Sequence, residues 1–137
     1  MARIDLVDLA HSYGGNDADP ASFALKPTSM TWRQGGAYAL LGPSGCGKTT
    51  LLNIISGIVR QSRGKVLFDG KDVMALSTQQ RNIAQVFQFP VIYDTMTVGE
   101  NLAFPLKNRG LPRAQIAARV AEIARLLDLT PVLARKA

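Results

Sequence analysis

Eight consecutive residues constrain this chain more than any other feature. Gly42-Pro43-Ser44-Gly45-Cys46-Gly47-Lys48-Thr49 has the spacing G-x-x-x-x-G-K-[ST]. Glycines admit backbone conformations closed to other residues, so successive N–H groups can turn inward on a polyphosphate. A helix opening near Lys48 would add the positive end of its dipole. Lys48 would supply a cation for the β- and γ-phosphates, and the Thr49 hydroxyl would stand where a Mg²⁺ ion needs a ligand. At ordinary residue frequencies the pattern arises by chance in roughly half a per cent of chains this long. Cys46 occupies an unspecified position of the loop and reads as a loop residue with a modifiable thiol, not as a nucleophile.

The flanking sequence supplies the context the loop requires. Gly36–Leu41 (GAYALL) is a short apolar run between glycines and predicts a buried strand leading in. From Lys48 onward, apolar residues at 51, 54, 55 and 58 form one helical face. Ala2–Leu9 alternates like a strand, Tyr13–Asp17 breaks it with turn formers, and a second extended stretch begins at Phe23. Gly64–Phe68 and Asn82–Phe87 are two further strand candidates. Thr97-Val98-Gly99-Glu100 has the capping-box pattern, which predicts a helix start at Thr97 and a kink or end near Pro105. After Pro112, Ile116, Val120, Ile123 and Leu127 mark one packed face of another helix, and Thr130-Pro131 reads as a third helix start. Strands interleaved with helices imply an α/β fold whose sheet is partly covered by helices.

Composition narrows the setting. The chain has 137 residues, a net charge of +6 and one cysteine, so an internal disulfide framework is excluded and a reducing compartment is expected. Its longest mostly apolar stretch, Leu51–Val59, is far shorter than the ~20 residues a membrane-crossing helix needs. Asp5 and Asp8 do not fit a secretory leader. Residues 107–137 carry seven basic residues against two acidic ones, which raises a nucleic-acid partner. On a helical wheel, however, Arg113, Arg119 and Arg125 point in three directions about 120° apart, so they form no phosphate-tracking stripe. Solvated helix charge is the better reading, and no nucleic acid is expected.

Taken together, the loop LLGPSGCGKTTLLNIISGI (Leu40–Ile58) and the segment VFQFPVIYDTMTVGENLAFPL (Val86–Leu106) make the chain resemble the nucleotide-binding subunits of ATP-binding cassette transporters. The resemblance covers essentially the whole chain and leans toward importers of sugars and polyols, glycerol and glycerol-phosphate systems included. It implies a P-loop NTPase fold: residues 1–92 as the first part of a RecA-like ATP-binding core, and 93–137 as the start of a helical subdomain. It implies ATP and Mg²⁺ as cofactors, contacted by Gly42, Pro43, Ser44, Gly45, Cys46, Gly47, Lys48, Thr49 and Thr50. Gln88 would touch Mg²⁺ and the attacking water, a role an amide fills because it can accept and donate without changing charge. Tyr13, 29 positions before Gly42, would stack on adenine. Phe89–Met96 would help form the groove that receives a helix of a transmembrane permease subunit. A second ATP-binding subunit would complete the assembly on the cytoplasmic face of the membrane.

The family's later motifs are absent: an acidic second-strand end, a water-positioning glutamate, a glycine-rich signature and a switch histidine. His11 lies upstream of the loop, far from any switch position. Leu76–Arg81 imitates the signature but lacks its glycines, and Val66–Asp69 imitates the acidic strand end but runs into Gly70. The sequence thus reads as the first half of a cassette, one that binds ATP and is catalytically incomplete alone. The alternatives are a cassette ATPase acting on nucleic acid, or another P-loop kinase.

Overall fold

The computed structural model describes residues 2–14, 23–89 and 91–137. Two compact units are present, Met1–Gln85 and Val86–Ala137.

Among the described residues the first unit is a four-stranded antiparallel sheet with one α-helix. Strands β1 (Ile4–Ser12), β2 (Phe23–Trp32), β3 (Arg63–Phe68) and β4 (Lys71–Asp72) lie in the order β2-β1-β3-β4. β2 carries Pro27, which the edge position accommodates because an edge strand has N–H groups that need no ladder partner. β1 departs from plain alternation. Asp8 has φ 47°, and the register shifts between Leu6 and Leu9, so Leu9 and Ala10 are both fully buried. Asp69 and Gly70 (φ 50° and 78°) make the tight β3–β4 turn, with Asp69 Oδ1 accepting from the Arg3 N–H. Asp69 is therefore a hairpin residue.

Helix α1 (Lys48–Ser56) packs Leu51, Ile54 and Ile55 onto Leu6, Leu9, Leu25, Val66 and Val73. Its expected fourth apolar position, Ile58, falls beyond the helix and is half exposed. Gly57, in the left-handed region at φ 83°, ends the helix, and the Ile58 N–H returns to the Asn53 carbonyl. Arg81 braces the same end, its Nη1 donating to Ile54 O (2.7 Å), which also accepts from the Gly57 N–H, and to Ile55 O (3.1 Å). Arg81 is only 8% exposed, and burial pulls its guanidinium pKa down from the ordinary value.

Two predicted strands are not formed. Gly36–Leu41 and Asn82–Phe87 lie outside every strand, and Leu41 and Val86 are almost wholly exposed. Their apolar runs are genuine, but a strand exists only through its ladder, and among the described residues nothing pairs with either segment.

In the second unit, helix α2 (Val98–Asn108) begins on a complete capping box. The Glu100 N–H donates to Thr97 Oγ1 (3.1 Å) and the Thr97 N–H to Glu100 Oε2 (2.8 Å). The helix runs through Pro105 and ends three residues later. Helix α3 (Arg113–Leu126) follows Pro112, but its apolar face is only partly covered. Ala124 is its one buried residue among those described, while Ile123 and Leu127 are exposed. Arg113, Arg119 and Arg125 are exposed, and Arg119 pairs with Glu122 one turn on (2.9 Å). At Thr130-Pro131 there is a single 3₁₀ turn (Thr130–Val132) in place of a longer helix, with no side-chain cap. The chain then lies against the start of α2, Val98 N–H donating to Arg135 O and Gly99 N–H to Leu133 O.

Two outcomes follow. Arg81→Met leaves the Ile54 carbonyl to the Gly57 N–H alone and takes the guanidinium from the Ile55 carbonyl, and urea unfolding should show a loss of about 2 kcal/mol. Thr97 holds the Glu100 carboxyl below its ordinary pKa, chiefly through its backbone N–H. The depressed pKa means the cap contributes above the unfolded carboxylate pKa of about 4.3 and fades as pH falls through the lower folded value. The protection factors of the amides at the start of α2, taken against intrinsic exchange at each pH, should therefore fall in acid, and Glu100→Gln should flatten that dependence.

Candidate functional site

The phosphate-type loop sits where the first unit's sheet meets α1. Gly47 is the turning point. Its φ of 91° is left-handed, and a Cβ there would run into the carbonyl oxygen of Ala24 at the start of β2, so only glycine brings the loop this close. Gly45 (φ 80°) makes a second left-handed turn, and the Cys46 N–H donates to the Pro43 carbonyl (3.4 Å). A Cβ on Gly42 would meet Cys46 Sγ at 2.7 Å. Three glycines thus serve one tight bend, each for a different reason.

Helix α1 starts without a side-chain cap. Its first turn-to-turn bond is Leu51 N–H to Gly47 O (2.8 Å), so Lys48, Thr49 and Thr50 have N–H groups with no carbonyl one turn earlier in the helix. Such an end is a ready anion site because the donors and the dipole point the same way. Lys48 reinforces it. Its Nζ donates to Gly42 O (2.8 Å) and Pro43 O (2.7 Å) and stands 3.4 Å from Cys46 Sγ, which holds the ammonium against the loop. Ser44, Cys46 and Thr49 are exposed, whereas Thr50 is turned inward at 9% exposure.

Tyr13 joins this end of the helix. It follows β1 directly, is 67% exposed, and its hydroxyl lies 3.4 Å from Thr50 Oγ1. Residues 15–22, which follow it, lie outside the described residues. Gln88 belongs to the second unit, where it is exposed at a bend. Beside it Phe89, Val91, Ile92 and Tyr93 expose apolar surface, and Pro90 lies outside the described residues. Asn101 ties this stretch to α2: its side chain accepts from Tyr93 N–H (2.8 Å) and donates to Tyr93 O (2.9 Å) and Thr97 O (3.0 Å).

Several residues escaped the sequence reading. Trp32 and Tyr38, stacked with ring centres 5.9 Å apart, line a cleft of about 540 Å³ with Leu40, Lys48, Thr49 and Leu52. His11 packs on Tyr13, and Arg81 braces the far end of α1. Arg81 falls in the Leu76–Arg81 segment rejected as a signature, and nothing in that segment points to its contact with α1.

Comparison with known proteins gives the geometry its relatives. An sn-glycerol-3-phosphate import ATP-binding protein UgpC of Rhizobium johnstonii is 43% identical over 99% of this chain and 37% of its own length. One from Paracoccus denitrificans is likewise 43% identical over the same shares. The Fe(3+) ions import ATP-binding protein FbpC of Escherichia coli is 39% identical over 92% of this chain and 34% of its own. The chain thus spans little more than a third of the curated relatives it matches. Among solved structures, a bacterial Atm1-family ABC exporter with ATP bound superposes with a TM-score of 0.63, covering 75% of this chain and 18% of that one at 24% identity. That likeness shows the fold, a P-loop NTPase fold of the ABC type, of which this chain is a partial α/β portion. The family described as ABC transporter matches residues 25–137, well over half of the sequence, and this chain belongs to it.

Proposed function

We propose that the chain is the ATP-binding portion of an importer's energy-coupling subunit, a transport ATPase when whole. The observation that carries the reading is the uncapped start of α1 behind left-handed Gly45 and Gly47, with Lys48 held at the loop. Relatives named as import ATP-binding proteins support it. In this reading Gly42, Pro43, Ser44, Gly45, Cys46, Gly47 and Lys48 wrap the triphosphate, and the N–H groups of Thr49 and Thr50 face it. Tyr13 stacks on the adenine.

The residues present fit a polyphosphate, because the glycine bends leave no Cβ where the loop must close. For Mg²⁺ the fit is narrower. Among the described residues no cluster of three acidic, imidazole or thiol donors is present, so the ion would come with the nucleotide and find the exposed Thr49 hydroxyl. When bound, Mg²⁺ neutralises charge between the β- and γ-phosphates. Gln88 would meet the metal and the attacking water in the whole protein.

Residues 1–92 would belong to the ATP-binding core and 93–137 to the start of a helical subdomain. The exposed Phe89, Val91, Ile92 and Tyr93, the last of them tied down by Asn101, support a docking surface for a transmembrane permease subunit. A second ATP-binding subunit would complete the nucleotide sites. Among the described residues no helix is long and apolar enough to cross a membrane, which is consistent with a peripheral place on its cytoplasmic face. The names of the relatives favour glycerol phosphate or a similar polyol as the solute.

Calorimetric titration with Mg-ATP tests the reading. The chain should bind, and Lys48→Ala should weaken binding at least tenfold, as expected for a charge-assisted contact of about 1.5–3 kcal/mol. Phosphate release by this chain alone should stay at the buffer rate under saturating ATP. Rapid turnover abolished by Lys48→Ala would contradict the assignment of the remaining catalytic groups to other parts of the whole protein.

A further inference from the structure

We propose that His11 is a positioning residue for nucleotide binding: its ring sets the Tyr13 ring at the start of α1 as a platform for the adenine. The inference rests on the reading of Tyr13 as the base-stacking residue and adds the group that aims it.

Four observations converge. His11 sits near the end of β1 in register with Leu25 of β2, the strand whose Ala24 carbonyl meets Gly47. It is only 8% exposed, on a strand that also buries Asp5, Leu6, Leu9, Ala10 and Ser12. Its ring stands nearly perpendicular to that of Tyr13, at 87° with centres 4.5 Å apart, the edge-to-face arrangement that aromatic quadrupoles favour. Its Nδ1 lies 3.4 Å from Ser62 Oγ, while Nε2 is buried with no hydrogen-bond partner among the described residues.

Ser62 fixes the imidazole from the far side. Its hydroxyl accepts from the Ser12 N–H (3.1 Å), and its backbone N–H donates to Ala10 O (3.1 Å), so its place is set by the β1 backbone on either side of His11. A buried nitrogen without a partner costs free energy, and a simple core position would favour an apolar side chain. What the imidazole offers here is a flat ring held at one edge and packed at the other against Tyr13. Tyr13 is then fixed at two points, by His11 and by its hydroxyl at Thr50 Oγ1, yet stays 67% exposed. A chain of contacts, Ser62–His11–Tyr13–Thr50, thereby links the base platform to the first turn of the phosphate-binding helix. Without it, Tyr13 would have to be ordered each time nucleotide binds, at the expense of affinity.

Titrations of this chain with Mg-ATP and with magnesium tripolyphosphate, which has no base, separate the two ends of the ligand. Proton NMR of the adenine H2 and H8 reports stacking through the ring-current shift. His11→Leu fills the space with an apolar side chain and is expected to stay folded. It should weaken ATP roughly three- to tenfold, reduce the adenine shift and leave tripolyphosphate binding unchanged. His11→Phe, which keeps a ring edge, should restore both ATP affinity and shift. If Tyr13→Ala loses the adenine shift while His11→Leu retains full shift and affinity, the positioning role is overturned and the stacking role stands. If Tyr13→Ala itself changes neither quantity, the stacking reading fails and the inference falls with it. Equal weakening of ATP and tripolyphosphate by His11→Leu would show a general structural role and also overturn the proposal.

Discussion

The close approach of Gly47 to the Ala24 carbonyl is the contact on which the rest of the site depends. It lets the loop turn into α1 directly against β2, so the helix lands with Leu51, Ile54 and Ile55 over Leu6, Leu9 and Leu25. The same turn leaves the helix start without a cap. A capped helix would be locally more stable by about 1 kcal/mol, but its N–H groups would already be taken. Core packing and the Arg81 brace at the other end offset what the uncapped start lacks, which keeps its donors available for an anion.

The two ends of α1 illustrate how differently fold and function were written in the sequence. The front end was legible residue by residue, because Gly42, Gly47, Lys48 and Thr49 must stand at fixed spacing for the loop to work. Thr97 and Glu100 were legible for a similar reason, since a capping box is a local device that its own four residues complete. The back end of α1 was not legible. Arg81 reaches Ile54 from 27 residues away, and nothing local in the sequence announces that contact.

Gly36–Leu41 and Asn82–Phe87 show the limit from the other side. Their apolar patterns are those of buried strands, yet pattern states only what a segment is fit for. Pairing is a non-local property, and the sheet of the first unit runs from β2 to β4 without them. His11 was passed over for a related reason. Its position upstream of the loop fits no switch histidine, and only the structure places its ring against Tyr13.

The central claim is that the donors at the Gly42–Thr50 bend receive the nucleotide's phosphates, and backbone amide chemical shifts during titration with Mg-ATP test it most directly. The account predicts that the largest downfield changes fall on Gly45, Gly47, Lys48 and Thr49, and that they are reproduced by tripolyphosphate. Changes confined to residues outside Gly42–Thr50, or no change at saturating nucleotide, would contradict it.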